Sequence, residues 1–373
     1  MKRRVILAGG GHAHLAVLAD WARQPLPDTE RCLITSSRYT AYSGMLPGWL
    51  AGIYRTRDLL IDLEPLARRA GARLLLADVT GLDADRQTLS LSSGEDVEFD
   101  LLSLAIGGET DVSGLTLLGD RLIPVRPVNA FMQRWSQFAE ANASAAAISV
   151  VVVGGGAAGV ELALGAERAL RGGSRENCIC LVTPNDSFLA GHASGVRTRA
   201  LAKLAKRGIA IHLAHAAGEE TGLHLSNGKF LPADCVIVAT GSRAPHWLAK
   251  SGLACTTDGF VAVGSDMRST SHTAVFAAGD IVDRVDRSLA RSGVHAVKAG
   301  PIVAFNLRAT ISGVALQHYR PGNRTLYLLA LGDKSAIVSW GQLAWSGKLA
   351  WRIKDWIDRN FVGRYTDVDR NRG

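Results

Sequence analysis

Two short stretches, starting at Gly9 and Gly154, limit what this chain can fold into more than any other feature. Each follows an apolar run that reads as a buried strand, at 4–8 and 148–153. Each is a cluster of glycines: Gly9-Gly10-Gly11-His12-Ala13-His14 in one, Gly154-Gly155-Gly156-Ala157-Ala158-Gly159 in the other. Apolar segments that read as helices follow at 15–23 and 160–170, and second strands at 32–35 and 178–182. A strand, a tight turn, a helix and a parallel strand make the unit of a doubly wound α/β sheet. Repetition of the whole unit marks a duplicated domain rather than a solenoid. Later strands at 99–105 and 234–239 run into Ile106-Gly107-Gly108 and Thr240-Gly241. From Ser265 the chain is expected to return to the first unit, through a strand near 273–280 and a helix near 299–309.

The turns carry chemistry. A dinucleotide pyrophosphate needs backbone N–H donors at a helix N-terminus. The first glycine makes the tight turn, the second lets the phosphate approach, and the third lets helix and strand pack closely. Gly154, Gly156 and Gly159 meet all three needs; Gly9 and Gly11 meet two, with His14 in the third place. A ring there predicts a helix that stands off its strand, or a side chain turned outward. The acid that often ends the second strand and binds a ribose is missing from both halves, which read Ser36-Ser37-Arg38 and Thr183-Pro184-Asn185-Asp186. Ser36 is the candidate for a ribose contact, and Arg38 for adenine or phosphate. Arg197 and Arg199 are candidates for a 2′-phosphate, set against a solvated helix face. NADH versus NADPH stays open.

At 373 residues the chain has room for two or three domains. A net charge of +8 suits an anionic dinucleotide or an acidic membrane surface; a nucleic-acid partner is not expected. The five cysteines (Cys32, Cys178, Cys180, Cys235 and Cys255) form no CxxC pair, so neither a secreted disulfide framework nor a metal site is expected. They read as core filler in a reducing, cytoplasmic compartment. Lys2-Arg3-Arg4 leads into too short an apolar run for a signal peptide. The apolar run at 143–166 is interrupted by its glycines and Glu161, which argues against a membrane span.

Taken in order, Gly9-x-Gly11, Val152-Val153-Gly154-Gly155-Gly156-Ala157-Ala158-Gly159-Val160-Glu161, Ala239-Thr240-Gly241 and Val275-Phe276-Ala277-Ala278-Gly279-Asp280 carry a family resemblance. Over roughly residues 1–320 the chain resembles the pyridine-nucleotide–disulfide oxidoreductase superfamily. The resemblance implies an α/β fold of two Rossmann-like three-layer domains, glutathione-reductase-like. The FAD-binding domain would span 1–146 and 263–318, the NAD(P)-binding-like domain 147–262, and a C-terminal segment 319–373. It implies FAD contacts from Gly9, Gly11, His12, Ala13, His14, Ser36, Arg38, Leu46, Pro47, Val79, Ile106, Gly107, Gly279 and Asp280, the last on the ribityl chain. NAD(P)H would use Gly154, Gly156, Gly159 and Gly241. Glu161 is implied near nicotinamide and flavin, set against an acid placed for the helix dipole. Lys298 is implied at a helix N-terminus below the flavin pyrimidine, where a cation would stabilise an anionic reduced flavin, set against a surface lysine.

Within the superfamily the chain is most similar to the type II NADH dehydrogenase and sulfide dehydrogenase branch, and above all to the flavoprotein module found fused to selenide–water dikinase. The second similarity rests on Gly9-Gly10-Gly11-His12-Ala13-His14, on Tyr39-Thr40-Ala41-Tyr42-Ser43-Gly44-Met45-Leu46-Pro47-Gly48, and on the tail motifs Ser339-Trp340-Gly341 and Trp351-Arg352-Ile353-Lys354-Asp355-Trp356-Ile357-Asp358. The chain departs from the disulfide reductases in having no cysteine over 36–60, and from type II dehydrogenases in lacking the glutamines that frame their quinone site. The implied activity is hydride transfer from NAD(P)H to FAD and on to a quinone or similar acceptor, without a redox-active disulfide. Two alternatives keep the flavin: oxidation of a small sulfur, selenium or amine donor without NAD(P)H, and a non-catalytic redox sensor. A homodimer is compatible with all three.

In the tail, Trp345, Leu349, Ile353, Trp356, Ile357 and Phe361 recur at helical spacing, flanked by Lys348, Arg352, Lys354 and Arg359. Two readings follow for 345–361. One is an amphipathic helix resting on the cytoplasmic face of a membrane; the other is a helix packed on the flavin domain. His295 reads as a packed histidine, set against a proton donor beside the flavin.

Overall fold

The structure, a computed structural model, describes residues 2–171 and 177–366. In chain order the first part holds β1 (Arg3–Ala8), α1 (His12–Arg23), β2 (Thr29–Thr35), α2 (Leu46–Leu50), β3 (Ala72–Leu76) and β4 (Leu101–Leu104). Next come β5 (Leu122–Pro124), β6 (Ser149–Val153), α3 (Ala157–Leu170), β7 (Cys178–Thr183), α4 (Ser194–Lys206), β8 (Ala210–Leu213) and β9 (Cys235–Val238). Then follow β10 (Val275–Ala277) and α5 (Gly293–Ser312). The tail holds β11 (Leu326–Ala330), β12 (Ala336–Trp340), β13 (Leu343–Gly347) and α6 (Lys348–Thr366).

Two parallel sheets organise the molecule, in the orders β10-β4-β1-β2-β3 and β5-β9-β6-β7-β8. β10 returns the chain to the first sheet, as the sequence pattern predicts. The duplication goes further than the turns. A three-stranded antiparallel meander precedes β4 (Val79–Asp83, Thr88–Leu91, Asp96–Glu98), and another precedes β9 (Ala216–Glu219, Gly222–Leu225, Phe230–Pro232). The central strands are covered on both faces, which explains their unbroken apolar runs: Val5, Leu7, Leu33, Ile34, Val150, Val152 and Leu181 are all buried. α1 adds Leu15, Val17, Leu18 and Trp21 to the core. Full burial of an aliphatic or aromatic side chain of this size is worth roughly 1.5–3 kcal/mol.

Three boundaries differ from expectation. α1 and α3 start at His12 and Ala157, three residues early, because the second glycine of each turn is already the N-cap: Gly11 has φ/ψ −65/160 and Gly156 −70/179. α5 starts at Gly293 rather than near 299; Pro301, which suits a helix start, lies inside it. β5 pairs with β9, so residues 122–124 join the second sheet although the expected boundary at 146/147 puts them with the first.

The tail corrects the sequence reading in a useful way. β11, β12 and β13 form their own antiparallel sheet, and Trp345 lies on β13, not on a helix. α6 docks through Ala350, Trp351, Lys354, Asp358, Phe361, Val362 and Tyr365, all buried. Trp351 stacks on Tyr54 at 5.7 Å and Phe361 on Tyr42 at 4.5 Å. Leu349, Ile353, Trp356 and Ile357, most of the predicted stripe, point outward and are exposed, as are Trp340, Leu343 and Trp345. Lys354, counted from sequence as a flanking surface cation, is buried. Packed helix and amphipathic face thus describe opposite sides of one element. Among the described residues no helix is long and apolar enough to cross a membrane.

Candidate functional site

The two glycine turns open at the carboxyl ends of β1 and β6, each the strand about which its sheet reverses order. That is where ligands enter open α/β sheets. At the first turn Gly9 has φ +95, and a Cβ on Gly9 or Gly11 would sit 2.4 or 2.3 Å from the Ala105 carbonyl oxygen. At the second, Gly154 has φ +126 and a Cβ would meet the Ala239 carbonyl oxygen at 2.3 Å. Beyond each turn the helix lacks a side-chain cap and has no acid in its first turn, which suits its free N–H groups to an anion. Gly241, after β9, is exposed close to the second turn. Arg197 and Arg199 lie on the exposed face of α4.

His14 does not turn outward: its ring points inward and is 1% exposed. Nδ1 lies 2.6 Å from the Gly9 carbonyl oxygen and Nε2 2.8 Å from Ser103 Oγ. A carbonyl only accepts, so Nδ1 carries the proton and donates to Gly9, while Nε2 accepts from the serine hydroxyl. Burial pushes the ring's pKa down to about 4, against the Gly9 hydrogen bond, and keeps it neutral. With both nitrogens committed, His14 supports the turn from behind rather than offering it a ligand contact.

Around the first turn the structure gathers most of the other predicted residues. Ala13 is buried under the helix start, and Ile106 and Gly107 extend β4 beside Gly9. Val79 opens the meander just past β3, and Ser36 is exposed just past β2. Arg38, its side chain half exposed, is paired bidentately with Asp62, at 2.9 and 2.6 Å, and also with Glu64. Leu46 and Pro47 are buried in α2, which packs on α3. Gly279 (φ +86) and Asp280 follow β10. The Asp280 carboxylate accepts from Arg126 at 2.8 Å, a residue with no local sequence signal.

His12 is part-buried against Tyr42 and Phe361, with ring centroids at 5.3 and 6.0 Å, and burial lowers its pKa. It also faces the start of α5: Nδ1 lies 3.9 Å from where a Cβ on Gly293 would stand. Lys298 is a correction, because α5 begins five residues before it; Lys298 is exposed along the helix, not at its N-terminus. His295, in the first turn, shares a hydrogen bond of 2.8 Å with the Tyr319 hydroxyl, and burial lowers its pKa too.

Glu161 lies on α3 one turn beyond Gly156, and the tail reaches it. Its Oε1 accepts from the Ala330 N–H at 2.6 Å. The carboxyl keeps some surface exposure, yet burial pushes it up to about 7, opposed by the Lys354 ammonium and the Ala330 N–H and reinforced by Asp358. That is a carboxyl able to hold or release a proton near neutrality. Lys354 and Asp358 were not recognised from sequence as site residues. Their signal is a second stripe on the tail helix, with Trp351, Val362 and Tyr365, which runs opposite most of the one that was read.

The cysteines take no part in this arrangement. Cys32, Cys180 and Cys235 are buried, and Cys178, exposed, opens β7 at the strand end away from the turns. Burial pushes the Cys180 thiol up to about 12 and raises Cys235 as well, which keeps both protonated.

Two parallel sheets, each with a glycine turn at its switch point, define a two-dinucleotide fold. Residues 3–300 match the pyridine nucleotide-disulphide oxidoreductase family, and the chain belongs to it. The chain is 26% identical to demethylphylloquinone reductase NdbB of Synechocystis sp., over 79% of this chain and 76% of that protein. It is 24% identical to the type II NADH:quinone oxidoreductase of Staphylococcus epidermidis, over 97% and 95%. The solved structure of NDH2 from Plasmodium falciparum in complex with NADH shares its fold, with TM-score 0.81, 11% identity, and coverage of 100% and 99%.

Proposed function

We propose that this protein is an FAD-dependent NAD(P)H oxidoreductase that reduces a quinone or similar acceptor without a redox-active disulfide. The observation that carries the reading is the pair of glycine turns, each leading into an uncapped helix, with Asp280 serving the first and Glu161 the second. We assign FAD to 1–146, less β5, and 263–318, and the nicotinamide nucleotide to 147–262 together with β5.

The residues at the first turn fit FAD. Gly9 and Gly11 leave the backbone open to a pyrophosphate, and the Asp280 carboxylate can accept sugar hydroxyls. Arg126, now paired with Asp280, adds a cation for the phosphates. Ser292 Oγ and Asn129 Oδ1 are buried hydrogen-bonding atoms without a partner among the described residues. When bound, FAD supplies the redox chemistry, taking a hydride from the nicotinamide and passing electrons to the acceptor. Glu161, poised near neutrality, holds the proton that a reduced quinone needs. The relatives named as a demethylphylloquinone reductase and an NADH:quinone oxidoreductase support a quinone as acceptor.

The outward face of α6 supports contact with the cytoplasmic face of a membrane, where quinones dissolve. Leu349, Ile353, Trp356 and Ile357 are exposed there, with Lys348, Arg352 and Arg359 along the same helix. Replacing both Ile353 and Trp356 by Glu should abolish flotation with anionic liposomes; flotation equal to the unaltered protein contradicts the membrane reading.

The test of function is steady-state oxidation of NADH and NADPH by the FAD-loaded protein with a short-chain quinone. Quinone-dependent oxidation of one nucleotide is expected. Glu161→Gln should slow it by about a hundredfold or more near neutral pH, the usual scale for a lost acid–base group. No quinone-dependent oxidation with either nucleotide overturns the reading.

A further inference from the structure

β7 opens with Cys178-Ile179-Cys180, and alternate residues of a strand face the same way. The two cysteines therefore share one side of the second sheet, and their Sγ atoms lie 3.8 Å apart. Cys178 is exposed; Cys180 is 6% exposed and shares an apolar cluster with Val151, Val182 and Val236. Among the described residues the other three cysteines stand elsewhere. Cys32 lies on β2 in the first sheet, Cys235 belongs with Val150 to the core on the opposite face of the second, and the Cys255 thiol donates to the Leu248 carbonyl at 3.6 Å. Two thiols in contact, one of them open to solvent, are a pair that a single incoming atom can bridge.

The geometry decides what kind of atom. Two residues along a strand put their Cα atoms about 6.6 Å apart, near the upper limit for a disulfide. The ladder holds that spacing: Cys178 pairs with Ser149, and Cys180 with both Val151 and Ala210. Two bonds of about 2.3 Å, the length of a metal–thiolate bond, span the 3.8 Å gap at an angle of about 110°. A two-coordinate ion needs a straight line between the sulfurs and a wider gap; a pyramidal three-coordinate centre takes the gap as it stands. Protons separate the remaining candidates. A divalent metal ion must displace both of them, and burial pushes the Cys180 thiol up to about 12. Arsenic(III) bearing hydroxyl groups carries them off as water. We propose that Cys178 and Cys180 are a dithiol binding site for a trivalent arsenical. Two As–O bonds break, two As–S bonds form, each thiol proton leaves on an oxygen, and the arsenic stays trivalent. Cys178, the exposed thiol, reacts first. The second bond then closes within one molecule, at an effective concentration that a free monothiol does not match. The site lies at the end of β7 away from the second glycine turn, so it stands apart from the proposed oxidoreductase chemistry.

The test mixes the FAD-loaded protein, its thiols reduced, with one equivalent of phenylarsine oxide and a large excess of glutathione, a competing monothiol, and weighs the intact chain. One phenylarsenic group per chain should stay bound against glutathione and leave when dimercaptopropanol, a competing dithiol, is added. Cys178→Ser changes only an exposed side chain at a strand end, so the fold should be kept while the adduct is lost. Apparent affinity should fall by about a hundredfold or more, the usual scale for losing a second point of attachment. Cys180→Ala should behave alike, and Cys255→Ser should keep the adduct. A glutathione-resistant adduct that survives in Cys178→Ser, its loss in Cys255→Ser, or its absence from the unaltered protein overturns the proposal.

Discussion

The two glycine turns begin alike and are closed differently. At the second, a Cβ at the third position, Gly159, would lie 1.7 Å from the Gly154 carbonyl oxygen. Helix and strand are so close that only glycine fits. At the first, the equivalent carbonyl belongs to Gly9, and the third position is His14, whose Nδ1 approaches it to 2.6 Å. A hydrogen bond replaces a bare van der Waals approach, and Ser103 on β4 holds the far side of the ring. The difference teaches that the third glycine is one of two ways to fix the first carbonyl. Pinning the Gly9 oxygen also orients its peptide, so that the Gly10 N–H points the other way.

The comparison can be broken at either turn. The largest effect is expected at Gly159→Ala, where a methyl must force helix and strand apart. A loss of about 4–5 kcal/mol in stability, the range reserved for severe core or backbone clashes, should accompany loss of nicotinamide binding, read by thermal melts and a nucleotide titration. His14→Ala should come next. It leaves the buried Gly9 carbonyl and Ser103 hydroxyl unpaired, at a cost of about 3 kcal/mol, and should weaken FAD retention on dialysis. A smaller effect sharpens the contrast. The His14 pKa is depressed in the fold, from 6.5 to about 4, so its neutral form is bound more tightly. That stability is fully present above pH 6.5 and is lost as pH falls toward 4, on the order of 3 kcal/mol in all. His14→Gln should flatten this part of the stability–pH curve; an unchanged slope means that the acid loss arises elsewhere.

Much of this architecture is legible locally. The apolar strands, the glycine turns and the Gly279-Asp280 return follow from short-range patterning and from backbone conformations that exclude other residues. What escaped depends on distant partners. The inward turn of His14 needs Ser103, 89 residues on. Arg126 meets Asp280 across 154 residues and Lys354 meets Gly44 across 310. Arg38 meets Asp62 across 24 residues, a pairing that no local pattern announces. In the tail, period alone joined Trp345 to the stripe, although Gly347 (φ +152) ends a strand there before the helix begins. Two apolar faces on one helix cannot be ranked by spacing; only the stacking of Trp351 and Phe361 on Tyr54 and Tyr42 decides which is buried.

The central claim is that the first turn holds the flavin and the second the nucleotide that reduces it. Gly156 gives the most direct test, because a Cβ there meets nothing within 4 Å and the residue caps α3. Gly156→Glu should therefore fold normally yet set a carboxylate where a pyrophosphate is expected to bind. The measurement is anaerobic titration of the FAD-loaded protein with NADH and with NADPH, following the yellow flavin band. The account predicts that one nucleotide bleaches the unaltered protein and that Gly156→Glu keeps its FAD but resists bleaching at the same concentrations. Equal bleaching of both forms, or none of the unaltered protein by either nucleotide, would contradict it.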